Sequence, residues 1–135
     1  MLRRLIAGSS AGLLLAAGLV GSSAGAAYEP WGGTRAADQV LKPSCAHYPY
    51  RYRIDPPTDD WAAEIFLVGP KGGPIASAAL DVNSDPATGT ERWRLCRPSL
   101  TPGRYKIRMK ITYLVDHYDL HVGYVKPSYF RLKRR

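Results

Sequence analysis

From His47 onward, apolar and polar side chains alternate along the chain. Tyr48, Tyr50, Tyr52 and Ile54 are separated by Pro49, Arg51 and Arg53, a period of two that turns one face of an extended strand to a core and the other to water. Pro49 has no amide hydrogen to give to a ladder, which predicts an edge position for this strand. Asp55-Pro56-Pro57 ends it. The alternation returns at Trp61, Ala63, Ile65 and Leu67, with Glu64 on the opposite face. Gly69-Pro70-Lys71-Gly72-Gly73-Pro74 joins that run to a second one over Ile75 to Val82, which predicts a hairpin. Glu91 to Arg97 is a shorter strand candidate built on Trp93 and Leu95. In the longest run, Gly103 to Val115, one face carries Tyr105, Ile107, Met109, Ile111, Tyr113 and Val115. The other carries Arg104, Lys106, Arg108, Lys110 and Thr112. Tyr129 to Lys133 supplies a last strand before the basic end.

No stretch of this region repeats apolar residues at i, i+3, i+4 and i+7 over three turns, so little helix is expected. Six to seven short strands, separated by Pro, Gly, Asn and Asp turns, predict an all-β fold, a small antiparallel β-sandwich over residues 45–135. Ala27 to Pro43 mixes small, polar and turn-forming residues without a period. Residues 27–44 are therefore expected to form a flexible N-terminal segment.

Leu100-Thr101-Pro102-Gly103-Arg104-Tyr105 resembles the L-x-P-G-x-Y turn of fibronectin type III and bacterial immunoglobulin-like domains. Trp61, the alternation after it and the Gly-Pro-Lys-Gly-Gly turn are similar to the early strands of such modules, so the resemblance spans roughly residues 48 to 133. It implies an immunoglobulin-like sandwich in which Tyr105 sits at a corner before a central strand and hydrogen-bonds back to the turn. The chain departs from antibody-type domains in its cysteines. Cys45 precedes the strand region and Cys96 precedes the corner, so a bridge between them is expected to tie the N-terminal segment to the sandwich, not to cross the core.

Composition adds a destination. Arg3 and Arg4, the apolar run Leu5 to Val20 and the small residues Ala24-Gly25-Ala26 form the pattern of a secretory signal peptide over residues 1–26. That run is at the short end for a spanning helix, and no transmembrane segment is expected in the mature chain. The preference for Arg over Lys and the Ala-rich leader suggest a GC-rich bacterial source. Export places Cys45 and Cys96, the only cysteines, where a disulfide forms and persists.

The whole chain has 19 basic and 11 acidic residues, a formal charge of +8. The leader holds two of the basic residues and none of the acidic ones, leaving 17 against 11, or +6, over 109 residues. That excess favours anionic partners in the extracellular space or cell envelope, such as phosphate-rich wall polymers, lipid headgroups, acidic glycans or released nucleic acid. Arg104, Lys106, Arg108 and Lys110 are the candidate binding residues, all on one strand face. Arg51 with Arg53, Arg92 with Arg94, and Arg131 with Lys133, Arg134 and Arg135 repeat the theme. Tyr48, Tyr50 and Tyr52 would add stacking if they faced outward. No sequence-specific nucleic-acid recognition is expected.

Two segments carry other chemistry. Asp81 to Glu91 begins like an oxygen-ligand calcium loop, but Pro86 stands where the sharp turn needs Gly, and the twelfth position is Arg92. A polar turn is the expected reading. Asp116 to His121 gathers His117, Asp119 and His121, a set a metal-assisted hydrolase could use. On a strand, however, residues four apart stand about 13 Å apart, too far to share a metal. No nucleophile elbow is present and no cysteine is left free. The chain thus reads as a secreted, non-enzymatic binding module without cofactor or assigned metal. A hydrolase or a secreted inhibitor or toxin is the alternative.

Overall fold

The structure, a computed structural model, describes residues 27–135. The leader expected over residues 1–26 lies outside them. Nine strands follow in order: β1 (Gly32–Arg35), β2 (Gln39–Val40), β3 (Ala46–Ile54), β4 (Trp61–Val68), β5 (Pro74–Asp81), β6 (Thr88–Leu95), β7 (Gly103–Val115), β8 (Asp119–Tyr124) and β9 (Ser128–Lys133). One 3₁₀ turn, Arg97–Ser99, precedes β7. A small sheet has the order β1-β3-β6, and a large one the order β2-β9-β7-β4-β5, with β8 also on β7. All pairs are antiparallel except β2 with β9.

The alternating runs form strands because each has one face to bury. Tyr48, Tyr50, Tyr52 and Ile54 of β3 and Trp93 and Leu95 of β6 are buried, as are Trp61, Ala63, Ile65 and Leu67 of β4. Strand β7 contributes Tyr105, Ile107, Met109, Ile111 and Tyr113. Burying one such side chain stabilises the fold by about 1.5–3 kcal/mol, so the two inner faces hold the sheets together. The three β3 tyrosines are core residues, as the alternation on that strand implies, and offer no outward stacking platform. Strands β4 and β7 keep their predicted bounds.

Strand β7 is the spine of the large sheet. One of its edges pairs with β4, Trp61 opposite Tyr113 through Val68 opposite Lys106. Its other edge is shared, with β9 along Gly103–Ile107 and β8 along Lys110–Val115. Between them the Val125 amide donates to the Met109 carbonyl at 3.1 Å.

Four expectations change. The segment before Cys45 supplies strands β1 and β2, so the sandwich has nine strands instead of six or seven. Strand β3 is the middle strand of its sheet, not an edge. Pro49 fits there because β1 ends at Arg35, opposite Arg51. The Pro49 carbonyl accepts from Gln39 Nε2 at 3.4 Å. Since the N and O of one strand residue point to the same side, the missing amide hydrogen faces the stretch β1 has already left. The Cys45–Cys96 disulfide forms, but it clamps β3 to β6 directly beside the pair Ala46 and Leu95. The Asp116–His121 segment, expected as a polar connection in the last hairpin, is a turn over residues 116–118 and strand β8 from Asp119 onward.

Candidate functional site

The predicted corner is present. The Tyr105 hydroxyl donates to the Thr101 carbonyl at 2.7 Å and accepts from the Thr101 amide at 3.1 Å. Gly103 between them has φ 147°, a conformation open to glycine and strained for other residues. This turn launches β7 with Tyr105 inward, so alternation aims Arg104, Lys106, Arg108 and Lys110 at solvent from the outer face of the large sheet.

That face divides the four cations. Lys110 Nζ lies 3.1 Å from Glu64 Oε2 on β4, directly opposite in the ladder, and is neutralised. The Arg104 guanidinium lies 3.8 Å above the Tyr129 ring, and that of Arg108 lies 4.8 Å from the Tyr124 ring centre. Lys106 sits between them, opposite both Tyr129 and Val68. A shallow depression of about 440 Å³ opens beside Arg104, Lys106 and Arg108, against Gly69 and Pro70.

The small sheet carries a second cationic face. Residues directly opposite in an antiparallel pair share a face, and Arg35 stands opposite Arg51, with Gly33 opposite Arg53, Pro49 opposite Arg92 and His47 opposite Arg94. Arg35, Arg51, Arg53, Arg92 and Arg94 therefore project together. Among the described residues, the one carboxylate paired on this face is Asp55, 3.5 Å from Arg53. A depression of about 470 Å³ lies where β1 peels away, lined by Arg35, Pro49, Arg51 and Thr90. Arg35 was not among the sequence candidates, because Gly32-Gly33-Thr34 gives no alternation to reveal a strand. Its cross-strand partner could not be read without the register.

Of the two other candidate segments, Asp81–Glu91 holds the turn between β5 and β6, and Asp116–His121 is a turn that runs into β8. The Asp81 carboxylate accepts from the amides of Asn83 at 2.8 Å and Ser84 at 3.1 Å, and Asp85 Oδ2 accepts from the Asp81 amide at 3.0 Å. These oxygens hold the β5–β6 connection. Asp116 and His117 have φ of 51° and 64°, the pattern of a tight hairpin turn whose twist suits the strands it joins, and the Tyr118 amide donates to the Val115 carbonyl. His117, 86% exposed, reaches Asp60 at 3.4 Å. His121 instead bonds Asp119 at 2.9 Å and stacks on Tyr113. The two imidazoles thus engage different carboxylates. Among the described residues no group of three or more His, Cys, Asp or Glu is placed to hold a metal ion, and no helix is long and apolar enough to cross a membrane.

Compared with models of protein families and with curated proteins, the chain matches none.

Proposed function

We propose that this protein is a secreted, immunoglobulin-like module that binds an anionic extracellular or envelope partner and catalyses no reaction. The observation that carries the reading is the face on which Arg35 stands opposite Arg51, with Arg53, Arg92 and Arg94 beside them. Like charges placed directly opposite destabilise a sheet, so this grouping works against the fold. A bound polyanion relieves it. Guanidinium groups are weakly hydrated and fork onto phosphate, sulfate or carboxylate through paired N–H donors. The face of Arg104, Lys106 and Arg108 adds a second cationic surface on the opposite side of the sandwich. The immunoglobulin-like part of the reading is supported by the Tyr105 corner and by the strand order. In that order β3 and β6 take the places of one sheet's strands, and β4, β7 and β9 those of the other.

Chromatography on phosphocellulose tests the proposal. The protein is expected to be retained at low salt and released as salt rises, because screening weakens exposed charge pairs. Joint replacement of Arg35, Arg51 and Arg92 by Glu should remove retention, while replacement of Arg104, Lys106 and Arg108 by Glu should reduce it. Circular dichroism should show both variants folded. Elution of both folded variants at the wild-type salt concentration overturns the reading.

A further inference from the structure

We infer that two copies of this chain pair edge to edge through β5, in the register that sets Ser77 of one opposite Ala79 of the other. Strand β5 ends the large sheet. Its orientation follows from one bond: the Val82 amide donates to the Trp61 carbonyl of β4 at 3.1 Å. Alternate residues share that direction, so Leu80, Ala78 and Ala76 turn their backbone groups to β4, while Asp81, Ala79 and Ser77 turn theirs outward. The Asp81 amide is taken by Asp85 Oδ2, and its carbonyl accepts from the Asp85 amide at 2.9 Å. At the other end the ladder is irregular, with Val68 opposite Pro74 and Leu67 opposite Ala76. Between these two stops, Ser77 and Ala79 keep N–H and C=O groups that pair with nothing among the described residues.

The unpaired groups are symmetric about Ala78. An antiparallel second copy with its Ala78 facing this one sets Ser77 against Ala79 twice, and each such pair exchanges two N–H···O bonds. Charge selects a second copy as the occupant. Pro74-Ile75-Ala76-Ser77-Ala78-Ala79-Leu80 carries no charged side chain, so two basic molecules meet here without opposing like charges. The small sheet's edge at β6 carries Arg92 and Arg94, and β8 carries Asp119 at one end and at the other receives the Glu29 amide, which donates to the Tyr124 carbonyl at 2.8 Å. An uncharged, uncovered edge strand is a template for strand addition. The product is one continuous twelve-stranded sheet with both Arg104-Lys106-Arg108 faces on the same side.

Sedimentation equilibrium of the purified protein over a range of concentrations tests this. A monomer–dimer equilibrium is expected. The double change Ser77→Lys with Ala79→Lys places lysine opposite lysine in both pairs and should leave monomer only. Ser77→Lys with Ala79→Glu places lysine opposite glutamate and should restore the dimer. Both side chains are exposed on the outer face of the large sheet, opposite Phe66 and Glu64 of β4, and circular dichroism checks that the variants fold. Monomer alone at millimolar concentration, a dimer that survives the double lysine change, or a Lys/Glu variant that stays monomeric overturns the inference.

Discussion

Tyr50 stacks on Trp93 in the core, ring centroids 4.4 Å apart and planes 16° from parallel, and neither the Tyr50 hydroxyl nor Trp93 Nε1 has a hydrogen-bond partner among the described residues. The two rings bridge β3 and β6 through their faces, and their polar atoms have been taken out of water without replacement. A buried polar group left unpaired costs about 1–3 kcal/mol.

Tyr50→Phe keeps the stacked ring and deletes the unpaired hydroxyl. It should hold or raise stability, and a gain of 1 kcal/mol would lift Tm by about 4–8 °C for a domain of this size. A thermal melt of the variant against the parent checks it; a clear drop in Tm would mean the hydroxyl contributes a bond.

The same hydroxyl makes stability pH-dependent. Burial, then the nearby Glu91 carboxylate and Tyr52, push the Tyr50 phenol well above its ordinary range. Tyr52 is raised in the same direction by burial, Asp85 and Glu91, and it donates its hydrogen to the Pro86 carbonyl at 2.9 Å. The folded chain therefore keeps protons that the unfolded chain releases once pH passes about 10. Below that point the contribution is fully present; above it the unfolded state binds fewer protons and stability falls. Urea midpoints measured on either side should show this decline, and Tyr50→Phe should make it shallower.

Tyr105→Phe removes both bonds to Thr101 and leaves the Thr101 amide and carbonyl to find water. The expected loss is about 1–3 kcal/mol with the fold retained. Denaturant titration measures the loss, and unchanged stability would show that the proline-glycine turn holds the corner unaided.

Replacing Cys45 and Cys96 by Ser opens a loop whose ends are 51 residues apart in sequence, with an expected loss of about 4 kcal/mol on the chain-entropy account. Because the bridge adjoins the Ala46–Leu95 pair, amide exchange at that end of β3 and β6 should accelerate before exchange in β7. Uniform acceleration would place the effect in the unfolded chain alone.

The strands legible in the sequence are those whose inward positions are all apolar. Strands β4 and β7 obey this, and so does β3. Strand β8 inverts it: Leu120 and Val122 are more than half exposed, while the inward positions, opposite Tyr113 and Ile111, hold His121 and Gly123. Gly123 has no room for a side chain because the Trp31 ring and Glu29 lie against it. The apolar partner of that position, Trp31, thus sits 92 residues away in sequence, and no local pattern can announce it. Strand β1 offers two glycines and no buried residue, and β2 has two residues, so their pairing is set by what lies beside them. Of the candidate site, the β7 cations were legible because they share a strand. The Arg35–Arg51 grouping is created by register between strands and was not.

The covalent clamp between β3 and β6 also has a mechanical meaning. Tension applied to the two termini passes from Cys45 to Cys96 through a pair of sulfur atoms, so the intervening polypeptide is taken off the load path. Stretching a single oxidised molecule should therefore release only the length outside the clamp, and reduction should add the shielded remainder to the extension.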